Sequence, residues 1–292
     1  MNRIKAIKES TDEELNEYLD YQNWDENPFA FDAGVDEYVL PKHEDIADIA
    51  AHLRSYTGPL LIHSRYSGVG KTTLLRMLLE EYDDDHETIY VPEHNVTPYE
   101  LISIVADQMP VGKSSSTKLT EQKIREFLED YDEDPFLIGI DEFGLNDPDT
   151  LHVVQFLNDL DHTRVILTGM TSQWDAIAQL GSDGRAFQRR VSYQLQLEPL
   201  SRDQIGELVR RRIATTSVDD VDPDDVGIEP FTEAALDIVH ERSKGVAAVA
   251  TAAASDLVTY AAYRYQEADE PGIDAALAKS VDYADPEVEP NE

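Results

Sequence analysis

One strand–loop–helix pattern constrains this chain more than any other feature. GPLLIHS (Gly58–Ser64) is a short apolar run, SRYSGVGKTTLL (Ser64–Leu75) crosses a glycine-bearing loop, and KTTLLRMLLEEY continues with helical spacing. Glycines let a backbone wrap so that its N–H groups face one point, and a helix N-terminus adds the positive end of its dipole. Such a cradle suits phosphate. Ser67, Gly68, Val69, Gly70, Lys71, Thr72 and Thr73 are its candidate contacts. Lys71 would reach the outer phosphates and Thr72 would offer its hydroxyl to Mg²⁺. The alternative is a glycine turn with an incidental Lys-Thr. Arg65 stands where such loops usually carry their first glycine.

A second element is independent of the first. FLIGIDE (Phe136–Glu142) is an apolar run, read as a strand buried on both sides, that ends in two carboxylates. At the C-terminal end of a strand, Asp141 can sit in a Mg²⁺ shell and Glu142 can orient or deprotonate water. Strands often end in acids, so the pair gains meaning from the glycine loop. RVILTG (Arg164–Gly169) is a third strand, ending near Thr168. If it lies between the other two, Thr168 approaches the γ-phosphate; otherwise Thr168 caps the next turn, with Thr171 as a fallback. RAFQRR (Arg185–Arg190) supplies Arg185, Arg189 and Arg190, each a candidate to reach a neighbouring subunit's nucleotide or simply to pair with an acidic surface. VRRRI (Val209–Ile213) reads as a surface stripe or a local phosphate patch.

Around these motifs, apolar runs alternate with helical patterns: DIADIAAHLRSY, ETIYVPE, TPYELISIVADQM with Thr97 as N-cap, TEQKIREFLEDY, DPDTLHVVQFLNDL and YQLQLEPL. That alternation predicts an α/β domain with a parallel sheet flanked by helices, over 27–200. SRDQIGELVRRRIA, FTEAALDIVHERS and GVAAVATAAASDLVTYAAYRY predict an all-helical unit over 201–265. Residues 1–26 read as a polar, partly helical arm and 266–292 as a frayed acidic tail.

Composition narrows the partners. The 292 residues include 60 acids and 24 bases, a net charge of −36, spread along the chain. That resembles a surface suited to a high-salt cytoplasm, the haloarchaeal pattern, the alternative being an ordinary acidic protein. A net negative charge argues against nucleic acid unless a local basic patch exists. With no cysteine, thiolate metal sites and disulfides are excluded. No leader or membrane-length apolar run is visible, so the expectation is a cytoplasmic protein without a membrane partner.

Assembled, these elements resemble the AAA+ P-loop ATPases. Within them NPF (27–29), SGVGKTTLLRMLLEEY, FLIGIDE, VILTG, QRRVSYQLQLEPLS and FTEAALDIVHERSKGVAAV look most like the ExeA and TniB group, relatives of origin-recognition ATPases. The resemblance implies ATP with Mg²⁺, Glu142, Lys71, Thr168 and Arg190 as catalytic groups, and Thr72 and Asp141 at the metal. It also implies homo-oligomers and work on DNA in replication, transposition or maintenance of a plasmid or virus; ExeA itself suggests envelope assembly instead. One departure is Arg65. Another is SKGVAAVAT, where Ala248 holds the position of the family's lid arginine and Lys244 is the nearest substitute. That departure favours the rival reading, a nucleotide-gated switch with negligible turnover.

Overall fold

The computed structural model describes residues 3–30, 43–55, 58–92, 96–144, 148–219, 221–265 and 272–289. The chain divides into two compact units, 40–198 with 288–292, and 1–39 with 199–287. Parts of the expected tail, 266–271 and 290–292, lie outside the described residues.

The first unit is a parallel sheet with flanking helices. Its elements run α2 (His43–Ser55), β1 (Leu60–Ser64), α3 (Lys71–Glu81), β2 (Glu87–Val91), α4 (Pro98–Gln108), α5 (Thr117–Glu129), β3 (Phe136–Ile140), α6 (Asp149–Asn158), β4 (Thr163–Met170), α7 (Thr171–Ala178), α8 (Ser182–Arg190) and β5 (Tyr193–Gln196). Strand order is β2-β3-β4-β1-β5, every pairing parallel. β1 and β3 are buried at every position, as continuous apolar runs require when helices cover both faces. α3 buries Leu74, Leu75, Leu78 and Leu79 on one face; each such side chain contributes about 1.5–3 kcal/mol on leaving water. Gly139 makes that contact possible, because a Cβ there would sit 2.9 Å from Cδ1 of Leu75 and 2.8 Å from Cδ1 of Leu79. Thr97 caps α4, as the sequence predicts, and Glu100 completes a full capping box.

α7 and α8 are not among the predicted elements. Both are short, and α8 (SDGRAFQRR) has too few apolar residues to show a period.

The second unit is helical: α1 (Arg3–Gln22), α9 (Arg202–Thr216), α10 (Glu233–Ser243), α11 (Ala247–Arg264) and α12 (Ala275–Ser280). Two expectations are corrected here. Residues 1–26 are no arm, since Tyr18, Leu19 and Trp24 are buried in one cluster with Ile205, Leu236 and Leu257. Tyr18 meets Trp24 and Tyr265 edge-on, with centroids 6.5 and 5.7 Å apart. Three aromatics near one end of a polar helix anchor it without a continuous apolar face. Nor is 272–289 frayed: Ile273, Leu277, Ala278 and Val281 are buried, and Asp274 caps α12 through the Leu277 amide. Arg212 of VRRRI is buried too, with Nη1 donating to the Pro28 carbonyl at 3.1 Å, and Arg211 pairs with Glu207. Two of the three arginines are thus engaged within the helical unit.

Trp24→Ala therefore should cost about 3–5 kcal/mol of stability in denaturant unfolding; an arm would register less than about 0.5 kcal/mol.

Candidate functional site

β1 delivers the chain to the glycine loop at the C-terminal edge of the sheet. Ser64 Oγ fixes the exit by donating to the Leu197 carbonyl at 2.7 Å and accepting from the Tyr66 amide at 3.1 Å. Gly68 and Gly70 then take φ of 77° and 106°, left-handed values at which a side chain is strained. Arg65 is not among the residues with positive φ, so this loop does not need a glycine there. α3 starts directly at Lys71, and its first turn has no side-chain cap. Those amides are free to serve an anion.

Lys71 is buried, and its Nζ donates to the Tyr66 carbonyl at 3.3 Å and to Met170 Sδ at 3.4 Å, both uncharged. Burial pushes the ammonium below its ordinary range, while Glu142 and Asp141 pull it back up. A buried cation held by a carbonyl and a thioether is a group short of an anion. This donor set fits the phosphate of a nucleotide.

β4 lies between β1 and β3, the placement the Thr168 expectation required. Thr168 is buried, and its hydroxyl donates to Asp141 Oδ1 in a short hydrogen bond. The Glu142 amide donates to Asp141 Oδ1 at 3.0 Å and to Thr168 Oγ1 at 3.1 Å. Glu142 itself turns at φ 44°, left-handed, which swings its backbone out of the strand just after Asp141. Asp141 and Thr168 thus form one unit, and the Thr168 hydroxyl is committed to a carboxylate. The Asp141 Oδ2 atom accepts from the Tyr90 hydroxyl at 2.9 Å. Arg76 lies over the Tyr90 ring, 5.1 Å from its centroid. Burial raises the Tyr90 hydroxyl pKa, so it stays protonated and donating near neutrality.

The expected metal pair, Thr72 and Asp141, would complete a Mg²⁺ shell with phosphate oxygens and water. Among the described residues no cluster of three or more acids, histidines or cysteines could hold a metal alone. Thr171, the fallback, is engaged elsewhere: its Oγ1 lies 3.0 Å from Nδ1 of the buried His63.

Arg190 sits at the opposite edge of the sheet. It ends α8, two residues before the Ser192 amide donates to the Pro59 carbonyl at the start of β1. Its guanidinium pairs with Asp159 at 2.9 Å, both side chains more than half exposed. The length of β1 separates it from its own glycine loop, so it cannot serve that loop in the same chain. Ala248 lies exposed in the first turn of α11, and Lys244 ends α10 at φ 52°, both in the helical unit.

Tyr90 is the site residue that sequence reasoning missed. Tyr90 reads only as a strand aromatic until the β2–β3 pairing, which sets Tyr90 opposite Gly139 and Val91 opposite Ile140, brings it beside Asp141.

Thr168→Val would strip a donor from Asp141 and an acceptor from the Glu142 amide. About 1–3 kcal/mol of lost stability is expected, read by thermal or denaturant unfolding of the isosteric variant.

Residues 46–177 match the family model described as AAA domain. Over 220 residues the chain is 25% identical to General secretion pathway protein A of Aeromonas hydrophila, covering 72% of this chain. The chain spans only 38% of that relative's length. Among solved structures, the ORC2 protein of Aeropyrum pernix in its ADPNP-ADP complexes superposes with a TM-score of 0.61 at 15% identity, covering 87% of this chain and 70% of that one. Cdc6p of Pyrobaculum aerophilum gives 0.61 at 17% identity, covering 85% and 68%. At such identities the likeness speaks for the fold. The matched segment contains the glycine loop, the carboxylate pair and Thr168.

Proposed function

We propose that this chain binds Mg²⁺–ATP and hydrolyses it by in-line attack of water on the γ-phosphate. The observation that carries the reading is the buried Lys71 ammonium, held among the described residues by the uncharged Tyr66 carbonyl and Met170 sulfur beside the uncapped start of α3. In this reading the amides of Ser67, Gly68, Val69, Gly70, Lys71, Thr72 and Thr73 hold phosphate oxygens, and Lys71 neutralises them. Thr72 and Asp141 would hold Mg²⁺, which would supply positive charge to offset the charge that develops on phosphate. Glu142 positions or deprotonates the water. Thr168 keeps Asp141 oriented and reports on the γ-phosphate through it. Arg190, at the far edge of its own sheet, acts on a neighbouring copy's nucleotide in a homo-oligomer.

The target is read from likeness, not from this site. The resemblance to origin-recognition ATPases supports DNA-linked work, in replication, transposition or maintenance of a mobile element. The net charge of −36 makes high-salt buffer the sensible assay condition. No described helix is long and apolar enough to cross a membrane.

Lys71→Ala should abolish ATP binding in an equilibrium titration; retained affinity would place the nucleotide elsewhere. Glu142→Gln should keep ATP but lower steady-state phosphate release by about 100-fold or more, the usual weight of a general base. Measured in high KCl with and without DNA, equal background release from variant and wild type, both binding ATP, would leave a nucleotide-gated switch. Arg190→Ala should slow turnover only in the assembled form. An equal loss in a monomeric preparation would remove its role in trans.

A further inference from the structure

Arg65 does have a partner, and it comes from far along the chain. The Glu289 amide donates to the Arg65 carbonyl at 2.9 Å, and Arg65 Nη2 donates back to the Glu289 carbonyl at 2.9 Å. Tyr66 and Val288 form an antiparallel bridge between these two bonds' strands. The Glu289 carboxylate then reaches Ser172, accepting from its amide at 2.8 Å and from its hydroxyl in a short hydrogen bond. Backbone pairing fixes the register of an extended segment, and the paired donors of Ser172 select an acid at one position along it. This is how an exposed edge recognises a peptide strand. All three anchor points belong to the α/β unit, which includes 288–292.

The location ties this contact to the phosphate loop. Tyr66, whose backbone pairs with Val288, is also the residue whose carbonyl holds Lys71. Ser172 lies two residues beyond Met170, whose sulfur is the other partner of Lys71, and Met170 pairs in register with Ser64. We infer that Arg65, Tyr66 and Ser172 form a docking site for an extended acidic peptide, filled by Val288–Glu289 of this chain, and that this segment and nucleotide oppose each other's binding. Both act on the loop in which Tyr66 pairs with Val288 and holds Lys71, so each weakens the other by the same factor. The coupling half of the inference rests on the ATP reading; the docking half does not.

Two measurements on the full chain separate them. In nucleotide-free protein, Glu289→Ala removes the carboxylate that protects the Ser172 amide, so hydrogen exchange at Ser172 should rise at least tenfold. Ser172→Ala and Arg65→Ala should each raise exchange at the Glu289 amide. Fluorescent-ATP titration should then show Glu289→Ala binding three- to tenfold tighter than wild type, with Glu289→Asp between the two. Saturating nucleotide should speed exchange at Glu289 in the wild type. Unchanged exchange at Ser172 in Glu289→Ala overturns the docking site. Faster exchange with unaltered ATP affinity overturns the coupling. Should the wild type bind no ATP, the proposed function fails, and the exchange results still decide whether the segment docks.

Discussion

The Thr168 hydroxyl reaches the Asp141 carboxylate because β4 is hydrogen-bonded on one side to β1 and on the other to β3. From that sandwiching follows most of the site. The register that sets Ile166 opposite Leu60 also sets Met170 opposite Ser64, which brings the Met170 sulfur to Lys71. On the other side, Leu167 pairs with Ile140, and the next residue on each strand is a member of the polar pair. A one-residue slip would turn Thr168 to the other face, because side chains alternate along a strand. The buried apolar faces of β1, β3 and β4 hold that register, so the chemistry is positioned by packing some distance from it.

Asp141 illustrates how far the environment is arranged around one group. Three donors converge on its two oxygens: Thr168 Oγ1, the Glu142 amide and Tyr90 OH. A buried carboxylate needs such donors or a cation to remain charged. With all three in place it is fixed in orientation before any ligand arrives. Lys71 is treated differently. Its partners are weak acceptors, so it keeps most of its capacity for an incoming anion. One group is satisfied in advance and its neighbour is left wanting, which is the asymmetry an electrostatic site requires.

Much of this was legible in the sequence because it is written locally. The run LLIHS, the left-handed glycines and the leucines of α3 occupy one continuous stretch, and FLIGIDE is another. Thr97 marks a helix start by its own residue type. Long-range partners carry no such mark. Tyr90 donates to Asp141 from a different strand, and Arg65 meets Glu289 across 224 positions, in a stretch whose acids and prolines look like solvent-exposed chain. α1 was misread for a related reason. Its anchoring aromatics are few and sit near one end, so the average polarity of the helix outweighed them. α7, α8 and α12 are too short for a helical period to show.

The make-up of the helical unit has a consequence for how the polypeptide is born. Tyr18 and Trp24 emerge from synthesis early, yet the side chains that bury them, on α9, α10 and α11, are translated only after the whole sheet. Domains fold as units while the chain lengthens, and contacts between distant segments are the slow ones to form. The α/β unit can complete its sheet while the aromatic surface of α1 is still wet. The first described helix is thus among the last to find its place, and its exposed rings are the part of the nascent chain a chaperone would meet.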